Sequence, residues 1–157
     1  MDLLKIKPIT DDDVQTIEAW LKKDHVRQWF ENADAWLDEI KERDEKFNFV
    51  KHFVAFYDEK PFGFCQYYAC SDVKAEWNTN YPIAGSYSLD YLIGEEEFLG
   101  RGLGKAVINL LIGEVFSLAA AERIVAKPDE GNKASQNALL SNGFVFDAEN
   151  KTYCLLK

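Results

Sequence analysis

The run Leu99-Gly100-Arg101-Gly102-Leu103-Gly104-Lys105 decides the fold prediction, because it joins two segments of different periodicity. Residues 87–93 before it have the apolar pattern of a β-strand, and an apolar stripe at helical spacing begins after Gly102. The unpaired N–H groups and the dipole at the start of a helix favour an anion such as phosphate. Glycines let the backbone approach that anion closely, and Arg101 and Lys105 add positive charge. We therefore predict that this turn cradles a pyrophosphate.

Two familiar phosphate-binding loops do not fit this run. A Walker A loop requires glycine at position 99 and serine or threonine at position 106, where this chain has Leu99 and Ala106. A dinucleotide-binding G-x-G-x-x-G pattern fails as well, because its third glycine falls on Lys105 or on Val107. Two interpretations of the run remain: a pyrophosphate-binding turn of another kind, and a plain loop that enters a helix.

The segments on both sides of the run predict a mixed α/β domain. Upstream we expect a first strand near residues 3–9, a helix capped by the acids at 11–13, two further helical regions near 26–30 and 34–46, and an antiparallel hairpin. The hairpin strands are residues 52–57 and 62–70, joined by a turn at 58–61. A polar segment at 71–85 is a candidate binding loop. Downstream we expect a short strand at 124–126, a helix at 133–140 and a last hairpin of residues 144–146 and 152–156.

Composition limits the class of protein. The 157 residues are 47% hydrophobic and 14% aromatic, which predicts one globular domain spanning residues 1–157. The net charge of −9 disfavours nucleic acid as a partner and favours cationic ligands, although the charge on its own is better explained by acidity kept for solubility. No apolar stretch is long enough to span a membrane. The odd number of cysteines and the lack of zinc-ligand spacing predict a cytoplasmic, reduced protein without a metal.

Two motifs resemble those of the GNAT N-acetyltransferase superfamily. Its acetyl-CoA motif, R/Q-x-x-G-x-G/A, matches Leu99 to Gly104 except that Leu99 takes the Arg/Gln position. A second element of that superfamily, an Asn before a short helix that ends in Gly-Phe, is similar to Asn132 through Gly143-Phe144. The resemblance implies an α/β (α+β) fold. Its mixed, mostly antiparallel sheet of about six to seven strands is flanked by helices and splayed at the acetyl-CoA strand, here residues 87–93.

Within the superfamily, the chain looks most like the aminoglycoside 6′-N-acetyltransferase branch and its siderophore-acetylating relatives. The matching segments are residues 24–29, residues 63–68, Trp77 and Ser88-Leu89-Asp90. This resemblance implies direct transfer of acetyl from acetyl-CoA to a primary amine in a ternary complex, without a metal. It implies that acetyl-CoA binds Tyr91, Leu92, Ile93, the turn of Gly100, Arg101, Gly102, Leu103, Gly104 and Lys105, and finally Asn132 and Ser135.

The same resemblance assigns the reacting residues. Asp90 matches the strand aspartate that contacts the acceptor amine, where it acts as a base or positions the amine electrostatically. The tyrosine that many members use to protonate the leaving thiolate falls at Leu139 in this chain. The acceptor contacts implied by the branch are Trp29, Gln66, Tyr68, Asp72 and Trp77, together with Asp90.

One departure bears on the identity of the acceptor. The aminoglycoside enzymes carry an acceptor-binding Asp five residues before the Asn of the second element, and this chain has Lys127 there. A cation facing a polycation is repulsive, although Asp129 and Glu130 lie in the same loop.

Three alternatives to an aminoglycoside enzyme remain. The acceptor could instead be a siderophore amine or a protein N-terminus. The replacements Leu99 and Leu139 also allow a non-catalytic acyl-CoA-binding sensor. For partners we expect a small cationic amine, no nucleic acid and no membrane, with the chain as a monomer or a homodimer.

Overall fold

A computed structural model describes residues 3–77 and 81–157, which form one seven-stranded sheet. The strands are β1 (Leu4–Pro8), β2 (Val50–Tyr57), β3 (Lys60–Ala69), β4 (Ser86–Ile93), β5 (Arg123–Ala126), β6 (Val145–Asp147) and β7 (Thr152–Leu156). Their spatial order is β1-β2-β3-β4-β5-β7-β6, and β4 and β5 are the parallel neighbours among otherwise antiparallel pairs. This architecture confirms the predicted fold class.

Helices cover both faces of the sheet. They are α1 (Val14–Leu21), α2 (Asp24–Arg27), α3 (Ala33–Lys41), α4 (Leu103–Phe116) and α5 (Lys133–Ser141). One cluster of buried side chains, which includes Ile17, Trp20 and Phe64, packs α1 to α3 against one face. A second cluster, which includes Leu111 and Ile124, packs α4 against the other face. Each apolar helix stripe therefore contributes to a separate core layer.

Two helix ends differ from the prediction. The acids at 11–13 form a 3₁₀ turn, and the capping box belongs to Thr10 and Asp13, whose carboxylate accepts from the Thr10 N–H at 2.9 Å. The helix expected to extend to residue 46 ends at Lys41. Arg43 explains this end, because its guanidinium donates to the Ile40 carbonyl at 2.8 Å and pairs with Asp11 at 2.7 Å.

The hairpin turn and the polar segment also differ in detail. The β2–β3 turn is shorter than expected, since Asp58 and Glu59 alone make it, both with positive φ, and β3 begins at Lys60. The segment predicted as a loop at 71–85 contains a 3₁₀ helix at Cys70–Glu76 and a buried Trp77. Its residues 78–80 lie outside the described residues.

The divergence of β4 from β5 creates the main opening of the fold. The two strands pair only at Ser86–Arg123 and Tyr87–Ile124, whereas β4 stays paired with β3 as far as Ile93. From Ser88 onward, therefore, no strand in the described part of the chain pairs with the side of β4 that faces β5. This is the predicted splay, and a sheet edge left open in this way can accept hydrogen bonds from an extended ligand.

Two general properties complete the description. None of the helices in residues 3–77 and 81–157 is long and apolar enough to cross a membrane. The cysteines Cys65, Cys70 and Cys154 are free thiols, and the first two are buried.

Candidate active site

A cavity of about 330 Å³ opens where β4 leaves β5; we call it the central cavity. It brings together four of the residues predicted to act on the acceptor or in catalysis, Trp29, Tyr68, Trp77 and Asp90, and it also contains Tyr91, which was predicted to bind acetyl-CoA. Its other lining residues are Phe30, Trp36, Ser88, Leu89, Ala126, Lys127, Pro128, Asp129, Asn132, Ser135 and Leu139. Aromatic walls around a few polar groups are typical of a small-molecule site.

The carboxylate of Asp90 is held in a fixed position. Gln66 lies directly opposite Asp90 in the β3–β4 pairing, and its Nε2 donates to Asp90 Oδ2 at 2.9 Å. Gln66 is buried and does not line the central cavity. The acceptor contact of Gln66 stays a prediction, and in this structure its amide orients Asp90.

Three elements supply the aromatic walls. Trp29 follows α2 and reaches across to the β5–α5 loop, where its ring would lie 3.5 Å from a Cβ on Gly131. Phe30 and Trp36 pack against each other with their rings tilted by 55° and their centroids 4.9 Å apart. Tyr68 lies beside Asp90, and its pKa is raised by burial and then by the charge of that carboxylate. The phenol of Tyr68 is therefore uncharged at neutral pH.

Lys127 brings a positive charge into the same cavity. Its Nζ lies 5.0 Å from the centroid of the Trp77 ring, a distance typical of a cation–π contact. The loop after Lys127 is held by Gln136, whose Nε2 donates to the carbonyls of Asp129 and Glu130 at 3.0 and 2.8 Å. Because Asp129 also lines the cavity, positive and negative groups face the same space.

Asp72, like Gln66, is a predicted acceptor residue that does not line this cavity. It lies in the first turn of the Cys70–Glu76 helix and is exposed. Its position therefore gives no support to the predicted acceptor contact.

A second cavity of about 270 Å³ follows the uncovered side of β4; we call it the side groove. It contains the predicted cofactor residues Leu92 and Ile93, and it shares Trp29, Phe30, Tyr91, Asn132 and Ser135 with the central cavity. The remaining lining residues are His25, Val26, Gln28, Leu99 and Ala134. The two cavities therefore adjoin at the middle of β4.

Some groups in the side groove already have partners. His25 Nε2 lies 2.9 Å from the Ile93 carbonyl oxygen, so that carbonyl is shared with a side chain. Asn132 caps α5 by accepting from the Ser135 N–H at 3.2 Å. The Tyr91 hydroxyl hydrogen-bonds Ser135, and burial raises the pKa of Tyr91. Asn132 and Ser135 therefore shape the groove partly by ordering their own helix.

The glycine-rich turn fits an anion. Gly100 and Gly102 have φ values of 70° and 74°, a region that residues with a Cβ rarely adopt. Gly102 is the N-cap of α4, so no side chain caps the helix, and its first turn holds no acid. Lys105, which was predicted to add positive charge, is exposed. The Arg101 guanidinium carbon lies 5.0 Å from the centroid of the Phe98 ring and 5.3 Å from that of the Tyr57 ring. The Leu103 side chain is buried in the core, and the backbone of Gly104 packs against the Tyr91 ring.

Sequence reasoning missed three wall residues, His25, Phe30 and Trp36. Phe30 and Trp36 lie in the predicted helical regions near 26–30 and 34–46, and their clustering with other aromatics before the sheet is the signal that could have found them. A metal centre has no support in residues 3–77 and 81–157, where no cluster of three or more His, Cys, Asp or Glu residues occurs.

Comparison with known proteins identifies related chains. Residues 10–152 match the family model described as an acetyltransferase (GNAT) domain. The aminoglycoside N(6′)-acetyltransferase type 1 of Klebsiella pneumoniae is 22% identical over 152 residues, covering 91% of this chain and 74% of that protein.

Solved structures share the fold. AAC(6′)-Ib in complex with paromomycin and acetyl-CoA superposes with a TM-score of 0.82 at 20% identity, covering 99% of this chain and 94% of that one. The aminoglycoside N(6′)-acetyltransferase of Legionella pneumophila gives a TM-score of 0.78 at 17% identity, covering 99% and 93% of the two chains.

Proposed function

Because this chain belongs to the acetyltransferase (GNAT) family, we propose that it transfers acetyl from acetyl-CoA to a primary amine of a small cationic acceptor, with aminoglycosides as the leading class. The observation that carries this proposal is the position of Asp90, whose carboxylate is oriented by Gln66 inside an aromatic cavity that adjoins the side groove. The relatives named above are aminoglycoside acetyltransferases, which supports this acceptor class.

In this proposal acetyl-CoA occupies the side groove and the glycine-rich turn. The N-terminus of α4, with Gly102 as its N-cap and Lys105 nearby, receives the pyrophosphate. The pantetheine arm lies along the uncovered side of β4 as an added strand would, near Leu92. A backbone N–H near Tyr91 or Leu92 then faces the thioester oxygen and stabilises the negative charge that develops on it.

The acceptor amine occupies the central cavity. Trp29 and Tyr68 offer aromatic faces to a cation, and Asp90 attracts the ammonium group and receives a proton from it, directly or through water. The amine must be neutral before it attacks the thioester carbon. Because the two cavities meet at Tyr91, amine and thioester are held side by side, and this proximity supplies much of the acceleration.

The deciding experiment is a measurement of CoA release and acetylated product by mass spectrometry over aminoglycosides, polyamines, siderophore amines and basic peptides. Asp90→Asn should abolish turnover and leave acetyl-CoA binding intact, whereas Asp72→Asn, an exposed acid outside both cavities, should change neither. Turnover on a siderophore amine alone, or on a peptide N-terminus alone, would make that amine the acceptor in place of an aminoglycoside. Binding of acetyl-CoA without turnover on any amine would instead identify a sensor.

A further inference from the structure

Tyr91 lies where the two cavities meet. Of the seven tyrosines, all within residues 3–77 and 81–157, it is the one that lines both the central cavity and the side groove. It follows Asp90 directly in β4, and successive side chains of a strand point to opposite faces of the sheet. Asp90 meets Gln66 on β3, whereas the Tyr91 ring approaches the start of α4. The carboxylate and the phenol therefore flank the reacting centre from two sides.

The phenol is held in place by two helices. A Cβ added to Gly104 at the start of α4 would lie 3.1 Å from Tyr91 Cε2 and 3.3 Å from its hydroxyl oxygen, so the ring packs directly on that glycine. On α5, the hydroxyl hydrogen-bonds Ser135. These contacts fix the position of the ring and of its hydroxyl oxygen.

Ser135 places the Tyr91 hydroxyl close to Leu139. The two α5 residues are four positions apart, so they lie on the same face of the helix, and both line the central cavity. Leu139 is buried and has no proton to give. Leu139 offers no hydroxyl on α5, but Tyr91 on β4 places its hydroxyl at Ser135, one helical turn before Leu139.

We infer that Tyr91 is the proton donor to the departing thiolate of CoA, an inference that rests on the proposed acetyl transfer. The neutral acceptor nitrogen bonds to the thioester carbon, the carbon–sulfur bond breaks, and sulfur leaves with the electron pair. The Tyr91 O–H gives its proton to that sulfur. Asp90 passes the proton that it took from the ammonium group to solvent, and the surplus proton of the nitrogen then goes to Asp90 or to water. Solvent then returns a proton to the Tyr91 oxygen, with Ser135 as its hydrogen-bond partner.

The chemistry of the groups suits this step. A thiol titrates near pH 8.5 and a phenol near pH 10, so the phenol is protonated at neutral pH, and its proton transfer to the thiolate is uphill by about 2 kcal/mol, which the breaking of the carbon–sulfur bond can supply. Burial raises the pKa of Tyr91, which keeps the proton on its oxygen between turnovers. Tyr68 also lines the central cavity, but it does not line the side groove and it lies beside Asp90.

The test compares Tyr91→Phe with Tyr87→Phe. Tyr87 lies on the same strand and the same face but lines neither cavity. We expect Tyr91→Phe to lower kcat by about 100-fold, the low end for general acid catalysis, with an unchanged KM for acetyl-CoA. The Tyr87 variant should keep the wild-type kcat. An unchanged kcat in Tyr91→Phe, or a loss confined to KM, overturns the inference.

A second measurement separates proton donation from packing. A fluorinated tyrosine at position 91 keeps the ring and the hydroxyl but ionises at lower pH. If Tyr91 donates the proton, the alkaline limb of the profile of kcat against pH should move to lower pH in the fluorinated variant. An alkaline limb at the wild-type pH contradicts the inference. If wild type acetylates an amine and the Tyr91 variants keep the wild-type kcat and pH profile, this step alone is overturned. If wild type acetylates no amine, the proposed function is overturned and this inference with it.

Discussion

Gln66 and Asp90 are paired across β3 and β4, and the amide of the first donates a 2.9 Å hydrogen bond to the carboxylate of the second. Gln66 is 3% exposed, so its side chain has little freedom to move away. The orientation of the proposed catalytic carboxylate is therefore set by a neighbouring strand.

Gln66→Leu should lower kcat, because a hydrogen bond to a charged group is worth about 1.5–3 kcal/mol and its loss releases the carboxylate. We expect a decrease of roughly 10- to 100-fold with little change in acetyl-CoA affinity. Gln15→Leu, an exposed glutamine on α1, is the matched control for steady-state kinetics. An unchanged kcat in Gln66→Leu would argue against this role.

Gly102→Asp should weaken acetyl-CoA binding by about 100-fold or more, because a carboxylate at the N-cap of α4 would face the pyrophosphate and like charges cost several kcal/mol. Isothermal titration calorimetry gives the affinity directly. Gly113→Asp places the same charge later in α4, where a Cβ meets open space, and should leave the affinity close to wild type. Equal affinities for the two variants would mean that the pyrophosphate binds elsewhere.

Lys127→Asp should lower the KM for an aminoglycoside, because it replaces a repelling charge in the central cavity with an attractive one. Exposed charge pairs are worth about 0.2–1 kcal/mol each, so we expect a decrease of roughly 3- to 10-fold, smaller at high salt. Lys151→Asp makes the same change of net charge at an exposed position outside both cavities. If both variants lower KM equally, the effect comes from the overall charge.

Gly94→Ala should destabilise the fold. A Cβ at this position would lie 2.1 Å from Trp20 Cγ, and Trp20 is fully buried in the layer formed by α1 to α3. Overpacking of this kind costs about 1–3 kcal/mol in the free energy of unfolding, which urea denaturation measures. Gly113→Ala, inside α4 and open to solvent, should instead stabilise by about 0.5–1 kcal/mol.

His52 should make stability depend on pH. Burial, followed by the charges of Arg43 and Lys51, lowers the pKa of His52 from 6.5 to about 4, so the folded chain holds it neutral. Above pH 6.5 the imidazole is neutral in both the folded and the unfolded chain, and as the pH falls toward 4 only the unfolded chain takes up the proton, so the free energy of unfolding decreases by about 3 kcal/mol in all. Urea denaturation should therefore show wild type losing about 3 kcal/mol relative to His52→Leu between pH 6.5 and 4. Parallel curves between pH 6.5 and 4 would contradict this assignment.

The order of elements was readable from the sequence because it depends on short-range patterns. Apolar alternation in β4, the glycine-rich turn and the apolar stripe of α4 are contiguous, and the conformations of Gly100 and Gly102 follow from local backbone sterics. Predictions that depend on contacts between distant residues fail, because short-range patterns carry no information about such contacts. The end of α3 was misplaced because Arg43 stops it by pairing with Asp11, a partner 32 residues away.

The composition of the site was only partly readable. Asp90, Trp77 and Tyr68 were expected from resemblance and lie in the central cavity, whereas the roles of Gln66, Lys127 and Tyr91 depend on neighbours distant in the chain. Gln66 meets Asp90 only because β3 and β4 pair in one register, and Tyr91 meets Ser135 only because α5 packs beside the gap between β4 and β5. The sequence alone determined which residues are available for chemistry. The tertiary structure decided which of them touch, because strand register and helix packing are set by burying the whole core at once.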